Sequence, residues 1–371
     1  MLHIIKMVKS RGGDSILGEG SFGCVVEPPV PCDGKEIPFI REKSEKAKEK
    51  KAKTMTVGKI YATDEDFHDE LVANKIAATV DPTGKLLLIP QSYCKVSYGK
   101  IMDNPVAQKC KFHGLKLKQS EEDVKLPTDF YQISMPYGGK TLEDVVFHKK
   151  MTLYNFLNNL KPVFQALILL EEKKYCHQDI KTNNILIKPN GETILIDYSY
   201  MRPNSEIYAY GNYHRLKKNY FPYPPEMNIY ANVHYNKCYE LKACDYIIHT
   251  FRNQSLPGFD YINLKAYESY FPKEELYKIL RDCIKRYIKL ETGGKYKEYM
   301  NRLVNKIDVY SLGCVFIDCS SYLDMAILNN DKKKKLFKAF VKKWIHPDPD
   351  ERYSAKKLYA AIQQILSELI K

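Results

Sequence analysis

The residues best suited to chemistry fall in one stretch, residues 176–198, which reads CHQDIKTNNILIKPNGETILIDY. His177, Asp179, Lys181 and Asn184 lie within eight residues, and Asp197 follows thirteen residues after Asn184. Two apolar runs, Ile185-Leu186-Ile187 and Ile194-Leu195-Ile196, flank the turn signal Pro189-Asn190-Gly191. This pattern predicts a hairpin of short strands with a polar loop before it and a carboxylate at its end. Two acids and an amide at the two mouths of one hairpin can meet in space. Phosphoryl transfer uses such a group: one carboxylate orients a hydroxyl, and an Asn with a second carboxylate holds Mg²⁺ against the phosphates. Singly, each residue reads as an ordinary satisfied surface group; the spaced set does not.

The set resembles the protein-kinase signature H-x-D-[LI]-K-x-x-N followed by a D-F-G-like Asp. The resemblance implies Asp179 as catalytic base, Lys181 as partner of the transferred phosphate, and Asn184 and Asp197 as metal ligands. Residues 16–26, ILGEGSFGCVV, carry G-x-G-x-x-G-x-V. Glycines let backbone amides approach phosphate oxygens with no Cβ in the way. By the resemblance, Gly18, Glu19, Gly20, Ser21, Phe22, Gly23 and Val25 would bind ATP. Val57-Gly58-Lys59-Ile60 is similar to V-A-I-K, which makes Lys59 the residue that reaches the phosphates. Glu70, eleven residues on, would pair with it; taken alone it reads as an exposed helical acid. Residues 131–142, YQISMPYGGKTL, resemble the hinge between kinase lobes, with Met135 as gatekeeper and Tyr137 as amide donor to the adenine. Tyr198-Ser199 stands where the family usually has Phe-Gly. Tyr223-Pro224-Pro225-Glu226 resembles A-P-E, and Arg352 would pair with Glu226. Asp308, in DVYSLG, would bond back to the backbone of the catalytic loop.

The elements that must position these groups follow from periodicity and turn signals. Residues 56–62 read as a strand. Residues 64–78 read as a helix with an apolar stripe of Phe67, Leu71, Val72 and Ile76 and acids in its first turn. Residues 86–89 and 93–97 read as further strands, and 151–174 carries a long helical pattern. A helix after Pro272 places Leu276, Ile279, Leu280, Cys283, Ile284, Tyr287 and Ile288 on one face and ends at Gly293-Gly294. The resemblance implies an α+β, bilobal protein-kinase-like fold. A small β-rich N-lobe would span residues 1–138, with insertions near 27–53 and 99–129. A large, mainly helical C-lobe would span 139–371, with a helical insertion at 227–305.

Among 371 residues, 44% are hydrophobic and 28% charged, a globular composition. No apolar run approaches a membrane span, and the first residues lack the apolar stretch of a signal peptide. Ten cysteines without a CxxC pair indicate neither a zinc site nor a disulfide framework, and this predicts a reduced, intracellular, cytoplasmic protein. If the chain is viral, as its kept motifs and long insertions hint, the host cytoplasm or virion is expected. The formal charge of +13 favours anionic partners or reads as a solvated basic surface. Nucleic-acid binding gains no support from the charged run at 41–53, which has no interleaved aromatics.

By resemblance the chain is expected to be a serine/threonine protein kinase that uses ATP and Mg²⁺; Lys181, two residues after Asp179, is the Ser/Thr pattern. The alternative is a pseudokinase or scaffold that binds nucleotide or protein without catalysis. His214, Arg215, Lys217 and Lys218 hint at an acidic protein substrate, beside the reading of solvated surface. Gln178 stands where many kinases carry an Arg that grips a phosphate on the activation segment. From Glu206 through Glu226 there is no Ser or Thr, so activity independent of Ser/Thr phosphorylation is expected there.

Overall fold

The computed structural model describes residues 15–19, 23–39, 55–111, 129–209, 223–235, 237 and 268–370. It is a mixed α+β structure, and the chain divides into two compact units, Met1–Gly138 and Gly139–Lys371. Among the described residues no helix is long and apolar enough to cross a membrane.

The first unit is built on a six-stranded antiparallel sheet. Its strands are β1 (Ser15–Glu19), β2 (Cys24–Glu27), β3 (Ile37–Pro38), β4 (Thr56–Tyr61), β5 (Ser92–Ser97) and β6 (Asp129–Pro136), in the order β1-β2-β4-β6-β5-β3. Side chains alternate between the two faces of a strand. On β4, Lys59 and Tyr61 therefore share one face and Ile60 takes the other. Helix α1 (Asp64–Val80) covers the Lys59 face: Phe67 and Leu71 pack with Tyr61 and Ile133, and Phe67 stacks on Tyr131 with ring centroids 4.7 Å apart. The Thr63 hydroxyl caps α1 by accepting the Asp66 N–H, and acids in the first turn suit the positive end of the helix.

Against the opposite face lie α2 (Tyr98–Asp103) and a short 3₁₀ turn at Ala107–Lys109, where Ile60, Val96, Ile101, Val106 and Phe130 are buried together. The apolar stripe expected on α1 is corrected here. Val72 is 55% exposed, and the inward face instead carries Glu70 and Asn74. Residues 86–89, expected as a strand, form an extended loop. The Asp81 carboxylate accepts the Leu86 and Leu87 N–H groups, so these two amides are satisfied by a side chain, and only an isolated bridge forms at Leu87.

The second unit is mainly helical. It begins with β7 (Lys140–Thr141) and α3 (Leu142–His148), followed by β8 (Met151–Thr152), α4 (Leu153–Asn159) and α5 (Lys161–Lys173). The single helical pattern expected across 151–174 is thus broken at Leu160. Pro162 lies in the first turn of α5, where its missing N–H costs nothing. Then come β9 (Tyr175–Cys176), the hairpin β10 (Ile185–Ile187) and β11 (Thr193–Leu195), β12 (Arg202–Pro203), α6 (Asn204–Ile207) and α7 (Pro225–Tyr230). The hairpin predicted from the apolar runs is present, in the register Ile185↔Leu195, with β7 on its other edge.

Helices α8 (Lys273–Thr292), α9 (Tyr296–Leu303) and α10 (Lys306–Ser320), strand β13 (Leu323–Asp324) and helices α11 (Asp331–Trp344) and α12 (Ala355–Ile370) complete the unit. Helix α8 buries Leu276, Leu280, Cys283, Ile284 and Tyr287. Arg286 clamps it to Asp348 through two hydrogen bonds of 3.0 and 2.7 Å. Burial pushes the Asp348 carboxyl up, but the Arg286 hydrogen bonds and charge, together with the Asp350 N–H, hold the group below its ordinary value.

The expectation of no disulfide framework is overturned. Cys24 bonds Cys110, and Cys32 bonds Cys94, across sequence separations of 86 and 62. Short-range cysteine spacing carries no trace of either bond, because the sheet topology brings the partners together. All four cysteines of the first unit are paired, whereas the described cysteines of the second, Cys176, Cys283, Cys314 and Cys319, are free and buried. A small sheet unit with a thin core is where covalent staples contribute most. Peptide mapping without reductant is expected to recover both cross-linked pairs. Replacing Cys24 and Cys110 by Ser should lower the unfolding free energy of the oxidised protein by about 2–5 kcal/mol in denaturant titrations. An unchanged midpoint would count against a stabilising role.

Candidate active site

The centre of the second unit's site is the loop that leaves β9. Cys176 pairs with Arg202 in a two-stranded ladder, and the chain then turns sharply. Gln178 adopts a left-handed backbone, φ +63°, a conformation that non-glycine residues rarely hold without support. The support comes from Asp308, in the first turn of α10. Its buried carboxylate accepts the backbone N–H of His177 at 2.7 Å and of Gln178 at 2.9 Å. Burial raises the Asp308 carboxyl above its ordinary value, although the His177 charge and the two N–H groups pull it back down. The Gln178 side chain donates from Nε2 to the Tyr200 carbonyl at 2.7 Å, tying the loop to the segment after β11.

This clamp presents a compact polar group. The Asp179 N–H donates to His177 Nδ1 at 3.3 Å. Lys181 Nζ donates to Asp179 Oδ2 at 3.0 Å, and Asn184 Nδ2 donates to both the Asp179 carbonyl and Oδ2 at 2.8 Å. Asp179 and Asn184 are buried, while the Lys181 side chain is 37% exposed. Asn184 ends a 3₁₀ turn, Thr182–Asn184, that runs directly into β10. The Ile196 N–H donates to the Asn184 carbonyl at 3.0 Å and carries the β10–β11 ladder one step further. Asp197 follows that step at the open end of the hairpin, with a left-handed φ of +66°.

Among the described residues, no group of three or more His, Cys, Asp and Glu side chains could hold a metal ion by itself. A Mg²⁺ shared with phosphates needs only one or two protein carboxylates. Asp197 with the Asn184 amide oxygen fits that need in donor type, since both offer hard oxygen.

In the first unit, Lys59 Nζ meets Glu70 Oε2 at 3.0 Å, with the two side chains 20% and 8% exposed. Glu70 is therefore a buried ion-pair partner and not an exposed helical acid. Eleven residues suffice because β4 ends at Tyr61 and α1 starts at Asp64, which faces the helix back over the strand it has just left. Val25 is the cross-strand neighbour of Lys59. Gly23 sits where a Cβ would come within 2.7 Å of the Ile60 carbonyl, so the third glycine of the motif permits close packing on β4. Gly58 makes room for Gln132, whose side chain bonds the N–H and carbonyl of Val30 at 2.8 and 2.9 Å.

Met135 packs against the Tyr61, Phe67, Leu71 and Ile133 cluster. The Tyr137 N–H, expected to face the adenine, donates to the Met55 carbonyl at 2.8 Å, where the β4–β6 pairing continues past Pro136. Gly18 and the backbone of Glu19 lie on β1. Gly20, Ser21 and Phe22 lie outside the described residues, as do His214, Arg215, Lys217, Lys218 and residues 41–53.

Glu226, in α7, and Arg352, before α12, form a fully buried bidentate pair at 2.6 and 3.0 Å. Burial raises the Glu226 carboxyl, and the Arg352 charge opposes the rise. Arg352 also donates to the His346 and Lys306 carbonyls. Two groups were missed by sequence reasoning. One is the brace from Ser199 Oγ to Asp197 Oδ1 at 2.7 Å, whose only signal was a hydroxyl two residues after an acid. The other is a chain of ring contacts, Tyr208–Tyr230–Tyr296–Tyr287, that joins the residues flanking 210–222 to α8 and α9. Compared with protein-family models and with curated proteins, the chain matches none.

Removing one partner of a buried ion pair typically costs about 3–5 kcal/mol, because the other charge stays buried without compensation. Arg352→Ala is expected to lower stability by that amount in denaturant unfolding. A midpoint equal to wild type would show that Glu226 finds another partner.

Proposed function

We propose that the chain is a serine/threonine protein kinase that transfers the γ-phosphate of ATP to a protein hydroxyl. The observation that carries this reading is the Asp179 cluster. A buried carboxylate is held by an Asn amide at 2.8 Å and a Lys ammonium at 3.0 Å, in a loop clamped by Asp308. Asp179 would accept the hydrogen of the attacking hydroxyl and orient its oxygen. Lys181 places positive charge beside that carboxylate, where charge on the transferred group would be met. Asn184 has its amide nitrogen committed to Asp179, so its amide oxygen is the atom for a cation; Asp197 would be the second ligand. The chemistry that Mg²⁺ supplies when bound is neutralisation of the phosphate oxygens. Lys59, oriented by Glu70, supports the reading as the phosphate-contacting ammonium of the first unit.

The second reading is a scaffold without catalysis. It is favoured by one observation, the engagement of the Tyr137 N–H by Met55, which removes the adenine anchor expected there.

Purified protein is expected to transfer γ-phosphate from ATP·Mg²⁺ to generic protein substrates or to itself. Asp179→Asn should lower kcat by about 10²-fold or more while leaving nucleotide affinity near wild type, since base action belongs to the transition state. Equal, mild effects of Asp179→Asn and Asp197→Asn on transfer would favour the scaffold. Gln178 gives its side chain to the Tyr200 carbonyl and has no charge with which to grip a phosphate. Treatment with a Ser/Thr phosphatase, checked by mass, is therefore expected to leave activity unchanged. Loss on treatment and return on rephosphorylation within 197–226 would refute that independence.

A further inference from the structure

We propose that Ser199 is a positioning residue for Asp197, holding its carboxylate in the orientation with which it would meet a divalent cation. The proposal rests on the phosphoryl-transfer reading of the same site. The Ser199 hydroxyl donates to Asp197 Oδ1 at 2.7 Å, and the Ser199 N–H reaches the same oxygen at 3.4 Å. The hydrogen bond limits rotation of the Asp197 carboxylate about its side-chain torsions. The hydroxyl restrains it from only two residues away.

The brace stands on a fixed base. Tyr198, between the two residues, is 1% exposed. Its hydroxyl donates to the Leu195 carbonyl at 2.7 Å, and its ring meets His177 edge-on with centroids 5.7 Å apart. On the other side, Arg202 Nη1 donates to the Ser199 carbonyl at 3.2 Å, and Gln178 holds the Tyr200 carbonyl at 2.7 Å. The backbone on both sides of Ser199 is therefore anchored to the hairpin and to the loop that carries Asp179. The left-handed φ of Asp197, +66°, is retained by these anchors without any glycine in the segment. Glycine at position 199 would supply backbone freedom and no side-chain donor. Serine supplies the donor and reduces the freedom, which turns Asp197 into a preset ligand.

Groups that hydrogen-bond a metal ligand set its orientation, and their loss typically weakens metal affinity by about 10- to 100-fold. The test uses Mn²⁺ as the probe ion. Affinity for ATP is measured by calorimetry with Mn²⁺ and again in chelator, and bound Mn²⁺ is counted by paramagnetic resonance. Ser199→Ala and Ser199→Gly are expected to weaken Mn²⁺-dependent ATP binding by about tenfold or more, with metal-free ATP affinity unchanged. Ser199→Thr, which keeps the hydroxyl, should stay near wild type. Melting curves of each variant separate a local loss from unfolding, and Ser199→Gly carries the comparison if Ser199→Ala does not fold. If Ser199→Ala binds Mn²⁺·ATP as wild type does, the positioning role is refuted while the reading of the site stands. If wild-type protein binds ATP no better with Mn²⁺ than without it, the reading falls and the inference with it.

Discussion

The site in the second unit depends on one buried carboxylate. Asp308 accepts two consecutive backbone N–H groups, from His177 and Gln178, and so makes a left-handed turn at a non-glycine residue affordable. Without it, two buried donors would be orphaned at the point where the chain reverses. Everything polar in the neighbourhood is referred to that turn. Asp179 follows it, Asn184 and Lys181 close on Asp179, and the Gln178 side chain reaches over to Tyr200. A backbone that cannot shift is what lets a carboxylate, an ammonium and an amide stay within hydrogen-bond distance of one another. Such preorganisation is the main way a protein favours phosphoryl transfer.

The first unit works by strand alternation. Because side chains alternate, Lys59 and Tyr61 face α1 while Ile60 faces the layer that carries the disulfides. The same rule that builds the core places one ammonium against one helical acid, at 3.0 Å and largely shielded from water. The Cys24–Cys110 disulfide fastens β2, which follows the glycine-rich stretch, to the residues beyond α2, and Cys32–Cys94 ties the chain after β2 to β5. Covalent stapling lies in the buried cluster on one face, and an aromatic helix contact covers the other.

Much of this was legible in the residues. The hairpin at 185–195 followed from two apolar triplets around Pro-Asn-Gly. Helix α8 followed from an apolar period with Pro before it and Gly-Gly after it. Hydrophobic periodicity failed where a nearby proline, carboxylate or ion pair decided. The 151–174 pattern is continuous in hydrophobicity and yet breaks at Leu160. Residues 86–89 look like a strand, but the Asp81 carboxylate takes the amides of Leu86 and Leu87. Val72 fits the apolar stripe of α1 by period but lies on the exposed side, because α1 turns Glu70 toward Lys59.

The sequence by itself determined which side chains stand close along the chain: His177, Asp179, Lys181 and Asn184 in one loop, and Asp197 at the end of the hairpin that follows. Short-range geometry suffices there, since the separations are set by one turn and one pair of strands. Only the tertiary structure decided what holds those residues and what their neighbours do. Asp308 reaches the loop from 130 residues away, Arg352 reaches Glu226 from 126, and Cys110 reaches Cys24 across 86. It also decided that the Tyr137 N–H continues a strand pairing and that the Ser199 hydroxyl braces Asp197. The physical reason is that a hydrogen bond or a disulfide acts over about 3 Å or less of space, whatever the distance along the chain. Residue type fixes what a group can bond, and packing fixes which partner arrives.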